Sequence, residues 1–372
     1  MHHNKPKVGL IGWRGMVGTV LLQRLVEENQ FQEIEALFYS SSQVGNVAPD
    51  FGQQSDRLLD VYNLQMLSKA NILIVCQGNK YTQDVYQKLR QSGWTGYWLD
   101  ASSALRLHAD SIIVLDPLNR QHINQALCQG MKTFVGANCT VSLLMLAIAG
   151  LLQADLVDWI STASYQAISG AGAQAMQTFI KQLQWTAHDL PNTTNILASA
   201  KTISEKLMDN ALPAKQINSP LLANVLPWID SEMSNGQTRE EWKAGVELNK
   251  ILQLETDKQI AIDGTCVRVG TIRSHAQAIT LKLKRCVPID DIEQYILQAH
   301  PWVKLVPNQR KETLAKLTPL AVSNTLNIAV GRVRKMSMGE EYLNLFTVGD
   351  QLLWGAAEPL HRMLSILIDF LN

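Results

Sequence analysis

Neither sign of charge dominates this sequence: 33 Lys and Arg stand against 33 Asp and Glu in 372 residues. A neutral chain has no general electrostatic reason to bind nucleic acid or an anionic membrane surface. Long hydrophobic runs are missing too. The longest apolar stretch, 141–152, falls short of the roughly 20 residues that span a bilayer and reads as a core helix. The start, MHHNKPKVGLIG, carries no apolar signal region and no cleavage site, so secretion is not expected. Cysteine is scarce. Cys76, Cys128, Cys139, Cys266 and Cys286 are odd in number, widely spaced and without a CxxC pair. That pattern argues against a disulfide framework and a structural zinc site, and fits a reducing compartment. No bound metal and a cytoplasmic location are therefore expected. Internal repeats and low-complexity tracts are absent as well.

What is present is a large apolar fraction, 46% hydrophobic against 18% charged, which suits a soluble protein with a sizeable interior. The length exceeds one ordinary core and implies two domains. The first third alternates. Strand-like runs at 7–11, 34–38, 72–75, 97–99 and 112–115 are separated by helical stretches such as 17–27 and 82–92. Such alternation implies a parallel sheet covered by helices on both faces. After Val135 the texture changes. An apolar helix follows Cys139, a β-rich run covers 159–166, and a polar, proline-bearing section at 190–228 reads as an insertion with a helix near 202–210. A helix is expected at 238–252. The span 266–283 reads as a strand pair with one exposed face, and 358–371 as an amphipathic helix.

The first strand runs into GWRGMVG, with Gly12, Gly15 and Gly18 at three-residue spacing before a helix. Glycine permits the tight turn and the approach of backbone N–H groups to a pyrophosphate, and the helix N-terminus favours its charge. The spacing is a variant of the usual dinucleotide fingerprint, and an ordinary strand-to-helix turn reads the same way locally. The second strand ends in FYSSSQ, with no acid to hold a ribose 2′-hydroxyl. Ser40, Ser41 and Ser42 can instead donate to a 2′-phosphate, and Arg14 can supply positive charge. The expected cofactor is NADP(H), although three serines also read as a polar turn.

Cys139 stands between Asn138 and Thr140, at the start of the apolar helix. A thiol there gains from the positive end of the helix dipole, which lowers its pKa. A cysteine beside an apolar run also reads as a buried, inert thiol. The surrounding motifs separate the two readings. FVGANCTVSLLM, SYQAISGAGA and CVRVGTIRSHAQA, with GWRGMVG near the start and GDQLLWGAAEPL near the end, resemble the aspartate-β-semialdehyde dehydrogenase family along nearly the whole chain. The WRGMVG loop and the long insertion resemble the Gram-negative bacterial form.

The resemblance implies NADPH-dependent reductive dephosphorylation of L-aspartyl-4-phosphate to L-aspartate-4-semialdehyde, on the route to lysine, methionine, threonine and diaminopimelate. It implies an α/β fold. A Rossmann-type NADP-binding domain over 1–136 is completed by the C-terminal helix at 356–372. An α+β catalytic and dimerisation domain with a mostly antiparallel or mixed sheet covers 137–355, and the partners are small-molecule substrates and a second copy in a homodimer. Carried over by motif, Cys139 is the nucleophile that forms a thioacyl enzyme, His275 its acid–base partner and Gln166 the residue that orients the substrate. Arg268 grips the α-carboxylate and Glu240 pairs with the amino group, with Glu241 open as its alternative. Arg106 and Lys243 are phosphate ligands, with Asn138 close by. The cofactor set is Gly12, Arg14, Gly15, Met16, Val17, Gly18, Ser40, Ser41, Gln77, Ser169, Gly170 and Gln351. Departures from the family pattern are few: Ala171, Ser274 and Ala276 replace residues common in relatives, and none removes a catalytic group. Two rival readings stay open here. One is a reductase of N-acetyl-γ-glutamyl phosphate, which shares the mechanism. The other is a catalytically silent nucleotide-binding regulator.

Overall fold

A computed structural model describes residues 5–51, 57–188, 195–208 and 219–372 of the chain. Two sheets of seven strands organise it. The first contains β1 (Lys7–Ile11), β2 (Glu35–Ser40), β3 (Leu59–Asp60), β4 (Ile72–Val75), β5 (Tyr97–Asp100), β6 (Ile112–Val114) and β7 (Thr133–Gly136). Its order is β3-β2-β1-β4-β5-β7-β6, and every pairing is parallel. Four consecutive buried residues in each of β4, β5 and β7 mark strands covered on both faces. The helix Met16–Glu27 packs on this sheet beside the C-terminal helix Glu358–Leu371. Leu360, Met363, Leu364 and Leu367 of that helix share a core with Leu10, Leu25 and Ile74. A Rossmann-type parallel sheet is thus present as the alternation implied.

The second sheet is mixed. Its strands are β8 (Val157–Gln166), β9 (Val225–Leu226), β10 (Ala261–Val269), β11 (His275–Leu283), β12 (Val303–Val306), β13 (Ile328–Met336) and β14 (Gly339–Gly349), in the order β12-β13-β14-β11-β8-β10-β9. The 266–283 span does form two strands, but they do not pair with each other. β8 lies between them, parallel to β10 and antiparallel to β11. The loop joining β10 to β11 crosses the end of β8, where Ile168 N donates to Thr271 O and Ser169 N to Ile272 O.

The apolar stretch after Cys139 is not one helix. It breaks at Ile148 (φ −117°) into Cys139–Ala147 and Ala149–Gln153. Gly150 explains the offset, since a Cβ there would stand 1.8 Å from Tyr295 O on the helix Ile289–Gln298. The helix expected near 202–210 runs over Ile196–Met208, and positions 209–210 lie outside the described residues. A helix at Ala173–His188 precedes it. Among the described residues no helix is long and apolar enough to cross a membrane. All five cysteines are free.

Candidate active site

Cys139 is the first residue of its helix, entered directly from β7. Asn138 caps that helix: its side-chain oxygen accepts from Thr140 N at 2.8 Å and from Val141 N at 3.3 Å. Gly355, in the turn Leu353–Ala357, lies directly over the nucleophile. A Cβ at 355 would stand 2.4 Å from the Cys139 Cβ, so only glycine fits there.

Three neighbouring strands bring the other groups to one place. Arg268 of β10 is in register with Gln166, the last residue of β8, and His275 opens β11 on the other side of β8. The backbone of Ala167 ties two of them together. Its carbonyl accepts from Arg268 Nη1 at 2.8 Å, and its N–H donates to His275 Nδ1 at 3.0 Å. With Nδ1 accepting, a neutral imidazole carries its proton on Nε2. Gly170 lies against both side chains: a Cβ there would be 2.9 Å from Arg268 Nη1 and 3.1 Å from His275 Nε2.

The helix Arg239–Ile251 closes the site. Thr238 caps it, and the two glutamates at its start separate cleanly. Glu241 Oε2 accepts from Thr238 N at 2.7 Å and Oε1 from Cys266 N at 3.0 Å, so both its oxygens serve the cap and β10. Glu240 faces the other way. Its Oε1 accepts from Asn138 Nδ2 at 3.0 Å and from Gln166 Nε2 at 3.4 Å, and its Oε2 meets Lys243 Nζ at 3.2 Å. Glu240 is the member of the pair that reaches the thiol.

A cavity of about 400 Å³ gathers Arg106, Asn138, Cys139, Gln166, Gly170, Glu240, Lys243 and Arg268 on its wall. Eight of the residues singled out by motif therefore share one space, and His275 stands immediately behind Gly170. The same wall contains Asp230 and Gly355, which sequence motifs did not single out. Asp230 pairs with Lys243 Nζ at 2.6 Å. Burial opposes the charge on Lys243, yet the Glu240 and Asp230 carboxylates hold its pKa above the ordinary lysine value.

The thiol departs from expectation. Burial, seconded by the Glu240 carboxylate, pushes Cys139 up to about 12, against the pull of Arg106, Arg268 and the Thr140 N–H. Desolvation outweighs these pulls and favours the neutral thiol. Burial and then the Arg268 guanidinium push His275 well below its usual range, and burial lowers His300. Below the unfolded value of about 6.5 the unfolded chain takes up these protons first, so stability is full above that pH and falls as pH drops towards the folded values. Each histidine contributes a slope of up to about 1.4 kcal/mol per pH unit. Urea unfolding at pH 7.5 and 5.5 checks this, and equal stability at both would contradict it.

The glycine loop meets its geometric requirement. Gly12 has φ +73°, and a Cβ on it would lie 2.6 Å from the Cys76 carbonyl carbon and 2.7 Å from Gln77 N. A Cβ on Gly18 would lie 2.3 Å from Gly12 O. The loop, with Gly15 as N-cap and Met16 and Val17 opening the helix, is thereby tight enough for a phosphate to approach backbone N–H groups. Arg14 Nη2 donates to Ser40 Oγ and Ser42 Oγ, both at 3.1 Å, while Ser41 is exposed between them. Two further residues of the expected cofactor set lie in the second domain. Gln351 donates to Ser169 Oγ and accepts from Ser274 N at 2.8 Å, so both ends of its amide hold the turns that flank His275.

The chain resembles known proteins over most of its length. Residues 7–126 match the family model described as semialdehyde dehydrogenase, NAD binding domain. Residues 148–354 match the one described as semialdehyde dehydrogenase, dimerisation domain. Among solved structures, aspartate semialdehyde dehydrogenase from Francisella tularensis is 49% identical, with a TM-score of 0.95 over 97% of this chain and 99% of that one. Aspartate semialdehyde dehydrogenase II from Vibrio cholerae, complexed with ASA, is 22% identical with a TM-score of 0.79 over 99% of each chain. The enzyme from Candida albicans with NADP is 16% identical, with a TM-score of 0.64 over 99% of this chain and 98% of that one. The last two likenesses speak to the fold alone.

Proposed function

The chain belongs to the aspartate semialdehyde dehydrogenase family, and we propose that it performs the NADPH-dependent reductive dephosphorylation of L-aspartyl-4-phosphate to L-aspartate-4-semialdehyde through a thioacyl intermediate on Cys139. The observation that carries this reading is the single cavity in which a thiol, an ammonium-seeking carboxylate and three cations meet.

In this reading Arg268 grips the substrate α-carboxylate with its planar fork, and Glu240 takes the α-ammonium group. Arg106 and Lys243 face the phosphate. Cys139 gives its thiol proton to His275 as Sγ bonds to the acyl carbon, the C–O bond to phosphate breaks, and phosphate leaves with that electron pair. NADPH, which the 12–18 glycine loop, Arg14, Ser40 and Ser41 would hold, would supply a hydride to the thioester carbon. The Gln166 amide donates to the oxyanion that develops there. The C–S bond then breaks, returning the electron pair to sulfur and releasing the aldehyde, with His275 handling the proton.

The Arg14, Ser40 and Ser42 cluster supports a 2′-phosphate and hence NADP over NAD. The open face of the second sheet supports a homodimer. Its Tyr165–Phe346 and Trp159–Tyr342 ring pairs are only partly covered, and sedimentation at twice the chain mass would test it. The rival reading as an N-acetylated substrate reductase would set Glu240 against a neutral amide, which offers that carboxylate no charge from the substrate and leaves it only Lys243. One assay tests the function and the cofactor together: reduction of NADP or of NAD by aspartate semialdehyde, with and without phosphate. Phosphate-dependent turnover with a preference for NADP is the expected result. No turnover would overturn the function, and a preference for NAD would overturn the cofactor.

A further inference from the structure

Glu247 is a side chain that no motif singled out, and it lies behind the cavity wall. It is on the same helix as Glu240 and Lys243, at positions 240, 243 and 247, a spacing that puts all three on one face. It is 1% exposed. A buried carboxylate is costly unless both oxygens are satisfied. Here Oε1 accepts from Arg106 Nη1 at 3.2 Å and Oε2 from the backbone N–H of Asn138 at 2.7 Å.

Arg106 completes the pattern. Its Nε donates to Gly136 O at 2.7 Å and its Nη2 to Ala137 O at 3.2 Å. Gly136 ends β7, Ala137 and Asn138 join it to the nucleophile, and the Arg106–Glu247 pair binds a backbone atom of each. An arginine has five N–H donors. Among the described residues these bonds engage one N–H on each nitrogen and leave one on Nη1 and one on Nη2. Two such hydrogens on one guanidinium edge suit two oxygens of one anion. The charge pattern agrees. The cavity wall carries the cations Arg106, Lys243 and Arg268 with the anions Asp230 and Glu240, and Glu247 behind it brings the set to balance. A balanced site can release a phosphate that an uncompensated one would retain.

We infer that Glu247 is a positioning residue: it aims the free edge of Arg106 at the phosphate subsite and, through the same bonds, fixes the 136–138 turn that presents Cys139. This rests on the functional reading above, since it is the acyl phosphate that brings an anion to Arg106.

The discriminating variant is Glu247→Gln. Its amide oxygen can still accept from Asn138 N, while its NH₂ sets donor against donor at Arg106 Nη1. In the phosphorylating direction the KM for phosphate should rise roughly tenfold, the effect of about one charge-assisted hydrogen bond, while the KM for semialdehyde stays within about twofold. In an Arg106→Ala background the same change should add less than about twofold to the phosphate KM, because the two residues act through one bond. A merely structural role would move both KM values together, or would add fully to Arg106→Ala; either result overturns the inference, as does an unchanged phosphate KM. If Glu247→Gln does not fold, Glu247→Asp, which keeps the charge and loses reach, is read by the same criteria. A second readout needs no turnover: protection of Cys139 by inorganic phosphate against methyl methanethiosulfonate, followed by mass spectrometry with NADP bound. Glu247→Gln should need roughly tenfold more phosphate for equal protection. Equal protection at equal phosphate refutes the aim of Arg106, whereas wild type that is protected yet inactive refutes the functional reading alone.

Discussion

Replacing Cys139 by alanine should lower phosphate-dependent turnover by at least about 10⁴-fold and leave the fold intact. The removed sulfur is the only protein atom in the proposed sequence that bonds to the acyl carbon. Alanine keeps the Cα and Cβ on which Gly355 packs, and it is a good residue for the first turn of a helix. The Asn138 cap uses the N–H groups of residues 140 and 141 and is untouched. Stability should therefore change by less than about 1 kcal/mol, so lost activity cannot be ascribed to unfolding. The wild-type thiol has its own signature. Burial and Glu240 raise its pKa to about 12, so the free enzyme should be alkylated slowly at pH 7.5 and faster as pH rises past 9. Residual turnover in Cys139→Ala near the wild-type level would remove the thioacyl step. Rapid alkylation at neutral pH would instead mean that the helix dipole outweighs burial.

The difference between those outcomes is also the difference between what a sequence makes legible and what it does not. A dipole is local, so residues 138–147 are enough to argue for it. Burial is not local: the walls that desolvate Cys139 come from Gly355, Gln166 and Glu240, each far away in the chain. The fold divides the same way. The strands β1, β2 and β4 and the helix after GWRGMVG follow from period and glycine spacing. The place of β7 between β5 and β6, and the insertion of β8 between β10 and β11, depend on which strands meet, and no local pattern states that. The β13–β14 hairpin (Ile328–Met336 and Gly339–Gly349) and the helix Ala173–His188 passed unmarked in the sequence. Arg106, Glu240, Lys243, Arg268 and Cys139 were legible because motifs carry them, and they do line one cavity. Glu247 and Asp230 act only through a partner across space, although a third charged residue on the face of Glu240 and Lys243 was there to be noticed. The choice between Glu240 and Glu241 needed the cap itself: a Thr-x-x-Glu box spends Glu241 at the helix start and leaves Glu240 for the cavity.

His275 poses the sharper question, and His275→Asn separates its two duties. The imidazole Nδ1 holds the Ala167 N–H at 3.0 Å, and the carbonyl of the same residue anchors Arg268. Asparagine places an amide oxygen one bond from Cγ, as histidine places Nδ1, so the tether survives. Nothing then occupies the place of Nε2, which a Cβ on Gly170 would approach to 3.1 Å and which has no hydrogen-bond partner in the structure. Turnover should fall by about 10²- to 10⁴-fold, the usual worth of a positioned proton donor or acceptor. The KM for semialdehyde and the melting temperature should change little, because Arg268 stays anchored. His275→Ala should match the loss in kcat and also raise that KM, since the Ala167 N–H then loses its acceptor. The resting tautomer gives this a direction. With the proton on Nε2, His275 meets the cavity as a donor. To take a proton from Cys139 on that nitrogen it must first move its own, which releases Ala167. If His275→Asn keeps the wild-type kcat, Nε2 has no part in the chemistry and the residue is only a tether. If Asn and Ala variants lose kcat and semialdehyde affinity alike, the tether is the whole effect and the proton is handled elsewhere.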